Sequence, residues 1–129
     1  MAELILGIET SCDDTSVALV DQNGNVVAIE TVSQYEIHSK FGGVYPELAS
    51  RAHLEAILPV IERVLTSADI TPLNLRAIGV TRGPGLMGSL LVGLSTAQAL
   101  GMVWEVPTYG VNHLRGHIRS VDLDGNSLD

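Results

Sequence analysis

The sequence is poor in aromatic residues, cysteine and basic residues, and each shortage excludes something. Aromatic residues make up only 4% of the 129 residues, so the core must be built from Val, Ile, Leu and Ala. Cys12 is the single cysteine, which excludes an internal disulfide and favours a reducing compartment. The formal net charge of −8 argues against nucleic-acid binding through this segment alone, because such binding needs clustered Lys and Arg.

The sequence also shows no long uninterrupted apolar run, and we expect its N-terminus not to be a signal peptide. The N-terminus, MAELILGIET, has no basic flank before its short apolar stretch. The longest apolar stretches carry Gly, Ser, Thr or Gln, so we expect no membrane span and a cytoplasmic protein. Apolar residues reach 46%, which is enough for a core, and the length suits one domain or a part of one.

The first third of the chain predicts three antiparallel strands. Residues 3–10 and 15–21 read as strands around a polar turn, and residues 25–33 return after Asn23-Gly24, a dipeptide typical of tight hairpins. Residues 34–45 contain Gly42-Gly43 and show no periodicity, which predicts a loop. His38, in that loop, and His53 are expected at the surface.

The remaining residues predict alternating helices and strands. Helical spacing runs over 46–67 and 86–100, strands are predicted over 76–82 and 107–112, and a further helix starts after 112. Residues 86–100 are apolar nearly all round, which predicts burial on more than one side. Helix 46–67 has two apolar stripes, of which one can cover the sheet and the other can meet a second helix or another chain. The larger stripe consists of Leu54, Ile57, Leu58, Ile61, Val64 and Leu65, and the smaller one of Ala49, Ala52, Ala56 and Val60.

The element order βββαβαβ predicts a mixed five-stranded α/β sheet, antiparallel at one end and parallel at the other. This is the layout of the ribonuclease H-like half-domain found in actin-like ATPases and sugar kinases. We expect one such lobe over residues 1–120 and a frayed polar tail over residues 121–129.

Polar side chains crowd the turn between the first two strands. Thr10, Ser11, Asp13, Asp14 and Thr15 offer hydroxyls, amides and two adjacent carboxylates. Hydroxyls and amides suit a phosphate, whereas carboxylates suit a metal ion or a general base. The same residue types are common in ordinary turns, so the local pattern alone favours a structural turn.

A glycine-rich segment, Gly83-Pro-Gly-Leu-Met-Gly88, joins the fourth strand to the next helix. It matches the dinucleotide pattern G-x-G-x-x-G, but Pro84 removes an amide and no acidic residue closes the following strand. The pattern therefore favours a tight turn with close helix packing over a phosphate site.

His113 and His117 stand four residues apart, a spacing that places two imidazoles on one face of a helix. Leu114 occupies the position at which zinc proteases carry a catalytic Glu, so a protease is disfavoured. The spacing alone favours two ordinary histidines on one face of a helix over a metal site. Its position after a parallel strand favours a site, because α/β sheets bind ligands at the carboxyl ends of their strands.

Four stretches together resemble the tRNA N6-adenosine threonylcarbamoyltransferases, long described as O-sialoglycoprotein endopeptidases or glycoproteases. They are GIETSCDDTSVALV, FGGVYPELASRAHLE, IGVTRGPGLMGSLLVGLSTAQALG and YGVNHLRGHI. The resemblance implies that His113 and His117 bind iron or zinc, with Asp13 and Asp14 at the catalytic cleft and Thr10, Ser11 and Thr15 near the substrate. It implies transfer of threonylcarbamoyl from its adenylate to adenosine 37 of tRNAs that read codons beginning with A.

The resemblance also implies partner subunits, and the sequence departs from the family's pattern in two ways. Its bacterial members work with an inactive paralogous subunit and a small ATPase, and we place the pairing, or a homodimer, on helices 46–67 and 86–100. Arg115 stands where the family usually has Glu between its histidines, which should weaken metal binding. The sequence matches roughly the first third of the family's length, so we expect residues 1–129 to be inactive alone.

Two alternatives remain open from the sequence. The first alternative is a non-catalytic module that uses the same helices to bind a partner. The second is an ATP-binding relative of kinases that shares only the fold. The second alternative predicts nucleotide binding at the turn over residues 10–15 without a metal at His113.

Overall fold

The structure, a computed structural model, describes residues 3–11, 13–40 and 42–112. Five strands form one sheet: β1 (Leu4–Glu9), β2 (Asp14–Val20), β3 (Val26–Ser33), β4 (Leu75–Gly83) and β5 (Thr108–Asn112). Three helices connect or flank them: α1 (Tyr35–Lys40), α2 (Pro46–Ser67) and α3 (Met87–Trp104). A short 3-10 turn over Pro72–Asn74 leads into β4.

The sheet has the order β3-β2-β1-β4-β5 and is mixed, as the sequence predicts. β1 pairs with β2 and β2 with β3 in antiparallel fashion, whereas β4 runs parallel to both β1 and β5. The Asn23-Gly24 hairpin is confirmed, because Gly24 has φ +85° and its amide donates to the carbonyl of Asp21. The central strand β1 therefore links the antiparallel half of the sheet to the parallel half.

The loop predicted over residues 34–45 is wrong in its first half, where α1 forms. The Oε1 atom of Gln34 lies 2.7 Å from Nε2 of His38, and the amide of Tyr45 donates to Nδ1 of His38 at 3.4 Å. These contacts bury the imidazole of His38, which was expected at the surface. A helix of six residues is too short to show a periodic apolar pattern, so α1 could not be predicted from the sequence.

Helix α2 covers β2 and β3, and its buried stripe combines residues of both predicted stripes with His53. The stripe consists of Ala49, His53, Ile57, Val60, Ile61 and Val64. The small residues Ala49 and Val60 face the core, and His53, expected at the surface, is fully buried. Leu54 and Leu58 stand at the surface instead, with 65% and 58% of their area exposed.

Helix α3 packs on β4 and on α2, and it buries one face rather than several. Its buried residues are Ser89, Leu90, Gly93, Ala97 and Gly101, so small side chains bring the helix close to the sheet. Its outer face exposes Met87, Leu91, Met102 and Val103. Within the described residues, α3 is the single helix whose length and composition would let it cross a membrane, a test that core helices also pass.

The main core lies between the sheet and the two long helices. It contains Leu6 and Ile8 of β1, Val17 and Leu19 of β2, and Ile78 and Val80 of β4, which face α2 and α3. Ile5 and Ala77 form a separate small cluster with Val111. Because side chains alternate along a strand, Glu9 shares the face of Ile5, and Thr10 points back toward the helices.

Candidate functional site

The candidate site lies at the edge of the sheet where the three parallel strands end. Glu9 ends β1, Gly83 ends β4 and Asn112 ends β5, with Gly83 opposite Asn112 in the ladder. The turn between β1 and β2 starts at this edge. This is the edge at which open α/β sheets place their ligands.

The backbone of the β1–β2 turn is hydrogen-bonded to the segments on both sides of it. The amide of Leu86 donates to the carbonyl of Ser11 at 2.8 Å, and the amide of Gln34 donates to the carbonyl of Asp13 at 2.9 Å. The turn is therefore held on one side by the glycine-rich segment and on the other by the residue that precedes α1. The conformation of the turn depends on both neighbours.

Two of the threonines predicted near the substrate have their hydroxyls engaged inside the protein. Thr10 Oγ1 donates to the carbonyl of Ser89 at 2.7 Å, and Thr15 Oγ1 lies 2.7 Å from Nδ1 of His53. Both threonines are at most 1% exposed. Their side chains attach the turn to α3 and α2, which is a reason for their presence that the sequence pattern did not reveal.

Asp13 and Asp14 are the carboxylates of the turn that have access to solvent. Asp14 is exposed at the start of β2, where it pairs with Ser33, and Asp13 is half-buried. Ser11 is buried beside them. Two adjacent carboxylates with access to solvent can accept a proton from a substrate or bind a cation.

Glu9 is a polar residue of this edge that the sequence analysis did not single out. Its Oε1 atom accepts the amide proton of Ser11 at 2.6 Å, and its Oε2 atom accepts the hydroxyl proton of Thr81 at 2.7 Å. The available signal was a lone carboxylate at the end of an otherwise apolar strand. Its position links the turn to the end of β4.

The glycine-rich segment acts as a packing element, as the sequence favoured. A Cβ atom on Gly85 would lie 2.5 Å from the carbonyl oxygen of Ser11, and one on Gly88 would lie 2.5 Å from Oγ of Ser50. The absence of side chains thus lets the start of α3 approach both the turn and α2. No dinucleotide site is needed to explain these glycines.

The described residues contain no group of three metal-ligating side chains. His113 and His117 lie outside the described residues, as do Cys12 and the tail over residues 121–129. The described chain ends at Asn112, which precedes His113 and lies at the same sheet edge as the β1–β2 turn. The described backbone therefore ends at this edge, and His113 follows Asn112 directly in the sequence.

A shallow groove of about 390 Å³ lies elsewhere, along β3 and the second half of α2. It is lined by Glu30, Glu62, Arg63, Thr66 and Ser67. Its ion pair joins Arg63 to Glu30 at 3.4 Å, but both side chains are well exposed, and such surface pairs contribute little. The groove contains none of the residues predicted for chemistry.

Comparison with known proteins gives a consistent result. The family model of TsaD, the tRNA N6-adenosine threonylcarbamoyltransferase, matches residues 25–128. A protein from Desulforapulum autotrophicum named tRNA N6-adenosine threonylcarbamoyltransferase is 50% identical over 120 residues, which cover 93% of this chain. The chain spans only 36% of that relative's length.

Solved structures agree on the fold. YeaZ from Pseudomonas aeruginosa superimposes with a TM-score of 0.69 at 22% identity, covering 92% of this chain and 49% of YeaZ. RuvC from Thermus thermophilus, solved with a Holliday junction substrate, gives a TM-score of 0.55 at 13% identity, covering 88% of this chain and 66% of RuvC. At these identities the likeness concerns the fold alone, and it confirms the ribonuclease H-like α/β architecture.

Proposed function

The chain belongs to the tRNA N6-adenosine threonylcarbamoyltransferase family, and on that basis we propose that it forms the N-terminal lobe of such a transferase. The reaction proposed is transfer of threonylcarbamoyl from threonylcarbamoyl-adenylate to adenosine 37 of tRNAs that read codons beginning with A. The observation that supports the proposal most is the 50% identity to the relative of that name. The position of Asp13 and Asp14 at the carboxyl edge of the sheet adds to it.

The chemistry needs a proton acceptor beside the adenine. The N6 amino nitrogen attacks the carbamoyl carbon, the bond from that carbon to the phosphate oxygen breaks, and AMP leaves. The proton lost by N6 passes to a carboxylate, and exposed Asp14 or half-buried Asp13 can take that role. A positioned general base of this kind contributes about 10²–10⁴-fold to the rate.

His113 and His117 are proposed to hold one iron or zinc ion. A metal ion bound there would polarise the carbamoyl oxygen of the donor as a Lewis acid. Two imidazoles leave the coordination incomplete, and Arg115 adds a positive charge between them in the sequence. A carboxylate from the turn, or one from outside this chain, would complete the site.

A hybrid protein tests the proposed transfer. Residues 1–112 of this chain replace the matching segment of the Desulforapulum autotrophicum relative, and nucleosides from tRNA incubated with the donor are separated by chromatography. We expect modified adenosine with the hybrid and none with the 129-residue chain alone. Asp14→Asn and Asp13→Asn should identify the base through a loss of about 10²–10⁴-fold in kcat.

Glu47→Gln is the control for those variants, because Glu47 is an exposed carboxylate at the start of α2. It should leave the rate unchanged. A folded hybrid that modifies no tRNA, or one that keeps full activity when both aspartates are replaced, would contradict the proposed role of the turn. Modified adenosine made by the 129-residue chain alone would contradict the requirement for a second lobe.

A second candidate function, partner binding, is favoured by the outer surface of the helices. Leu54, Leu58, Leu91 and Met102 are between 52% and 81% exposed on α2 and α3. Large exposed apolar patches mark interaction sites in soluble proteins, and these residues lie on two helices that pack against each other. We assign it to the paralogous subunit of the tRNA-modification complex, with a second copy of this chain as the alternative, and the small ATPase and tRNA would join the complete complex.

Size-exclusion chromatography at several concentrations tests the apolar surface. Leu54→Glu with Leu91→Glu should abolish association with the paralogous subunit or self-association, whereas Glu55→Gln on the same helix should not. His113→Ala should leave association unchanged if the surface acts independently of the metal. Association that survives the double substitution would place the interface elsewhere.

A further inference from the structure

Glu9 occupies a position from which one side chain can control the β1–β2 turn. It is the last residue of β1 and lies next to β4, in which Thr81 follows Val80, the partner of Ile8. Glu9 and Thr81 therefore lie on the same face of two neighbouring parallel strands. The turn that carries Asp13 and Asp14 begins directly after Glu9.

Both carboxylate oxygens of Glu9 accept short hydrogen bonds from different elements. Oε1 accepts from the Ser11 amide at 2.6 Å, and Oε2 accepts from the Thr81 hydroxyl at 2.7 Å. Hydrogen bonds to an ionised acceptor are shorter and about twice as strong as neutral ones. The carboxylate thus fixes the amide side of Ser11 relative to the end of β4.

The carbonyl oxygen of Ser11 is hydrogen-bonded as well. It accepts the amide proton of Leu86 at 2.8 Å, and the neighbouring Gly85 leaves no space between the two segments. Two residues further along, the carbonyl of Asp13 accepts the amide proton of Gln34. A shift at Ser11 would therefore be transmitted to both of these bonds and to the carboxylates of the turn.

We propose that Glu9 is the positioning residue of the candidate site, whose carboxylate sets the place of the Asp13–Asp14 turn relative to the ends of β4 and β5. The inference rests on the proposed function only in treating Asp13 and Asp14 as the working groups. Glu9 acts through Ser11 and Thr81 and takes no proton from a substrate. Any acceptor of the same shape should therefore replace it.

Amide hydrogen exchange in the 129-residue chain, followed by NMR, tests this role. In Glu9→Ala the amides of Ser11, Leu86 and Gln34 should exchange about 10–100-fold faster, because a hydrogen bond to a charged group is lost. In Thr81→Val the increase should be smaller, about fivefold, since one neutral donor is removed. The amide of Val64, in the core of α2, should not change in either variant.

Glu9→Gln is the matched variant that distinguishes positioning from general stability. Its amide oxygen can accept from Ser11 while its Nε2 donates to the Thr81 hydroxyl, so protection at the three amides should be retained. Equal acceleration at Val64, or faster exchange at Ser11 with Leu86 and Gln34 unchanged, would overturn the proposal. If Glu9→Ala does not fold, the contrast between Thr81→Val and Glu9→Gln decides it. No tRNA or donor is used, so a failure here is separate from a failure of the proposed transfer.

Discussion

At the scale of single residues, buried polar groups attach the turn to the helices. Thr10 and Thr15 direct their hydroxyls to Ser89 and His53, and each pairing joins the β1–β2 region to a long helix. A buried hydrogen bond contributes little net free energy, but an unpaired partner costs about 1–3 kcal/mol. These residues therefore fix one arrangement of the turn more than they stabilise the fold.

Ser89 is the exception among these buried polar groups. Its Oγ is buried and has no hydrogen-bond partner among the described residues, while its carbonyl accepts from Thr10. Ser89→Ala should therefore leave the free energy of unfolding unchanged or raise it by up to about 1 kcal/mol. Urea unfolding followed by circular dichroism measures the change.

Thr10→Val is the matched comparison, because it removes the donor to the same carbonyl and keeps the size of the side chain. It should lower the free energy of unfolding by about 1–2 kcal/mol. A Ser89→Ala variant that loses as much stability as Thr10→Val would show that the Ser89 hydroxyl has a partner.

Asp21, at the end of the sheet opposite the candidate site, makes the stability of the fold depend on pH. Amides of Asn25 and Asn23 donate to its carboxylate, and the Asn25 bond is the main cause of a pKa below the ordinary value of 3.8. Because the pKa is lowered in the folded state, its contribution to stability is present above pH 3.8 and is lost as the pH falls through the folded value. A carboxyl carbon titration by NMR should find the Asp21 midpoint below 3.8, and a midpoint at or above it would contradict the hairpin geometry.

The sequence predicted residue environments unevenly. The charged residues Glu47, Arg51 and Glu55 are exposed on α2, as their charge indicates. The surface placement of His38 and His53 is wrong, because each imidazole has a polar partner that a sequence pattern does not show. For His53 a signal was present, since it stands four residues from both Ala49 and Ile57 on the buried stripe of α2.

At the scale of elements, glycines decide how closely the start of α3 approaches the turn. Gly85→Ala places a Cβ against the carbonyl oxygen and Cβ of Ser11, so backbone must move. We expect a loss of about 1–3 kcal/mol in the free energy of unfolding, as for an overpacked core. Thermal and urea unfolding both report the change.

Gly43→Ala is the control, because no atom lies within 4 Å of its Cβ position. A glycine replaced at an unstrained site is neutral or stabilises by about 0.4–1 kcal/mol. Equal effects of the two substitutions would mean that the contact between the glycine-rich segment and Ser11 is unimportant.

The elements themselves were largely predictable. All five strands and both long helices follow from periodicity, the hairpin dipeptide and Pro46 at the start of α2. Helix α3 runs four residues beyond the predicted end at Leu100, to Trp104. Its exposed apolar face was not predicted, because composition shows that a helix is apolar but not which neighbours cover it.

At the scale of the whole molecule, the sheet brings distant segments of the sequence to one edge. The order β3-β2-β1-β4-β5 places β1 beside β4. Glu9 and Thr81 therefore form a hydrogen bond although they are 72 positions apart in the sequence. The sequence does not show that Glu9 lies beside Thr81, so Glu9 could not be predicted as part of the site. Asn112 ends β5 at the edge where the β1–β2 turn starts, and the sequence position of His113, directly after a parallel strand, predicts a site there.

The central claim is that the β1–β2 turn and the histidine pair lie at the same sheet edge. Paramagnetic Cu²⁺ binds imidazole pairs more tightly than the other divalent first-row metals, and it broadens NMR signals close to it. Substoichiometric Cu²⁺ should broaden the amides of Ser11, Gly83 and Asn112 and spare Gly24 at the opposite edge, and His117→Ala should remove the effect. Broadening at Gly24, or none at Ser11 while the amide of His113 disappears, would contradict the claim.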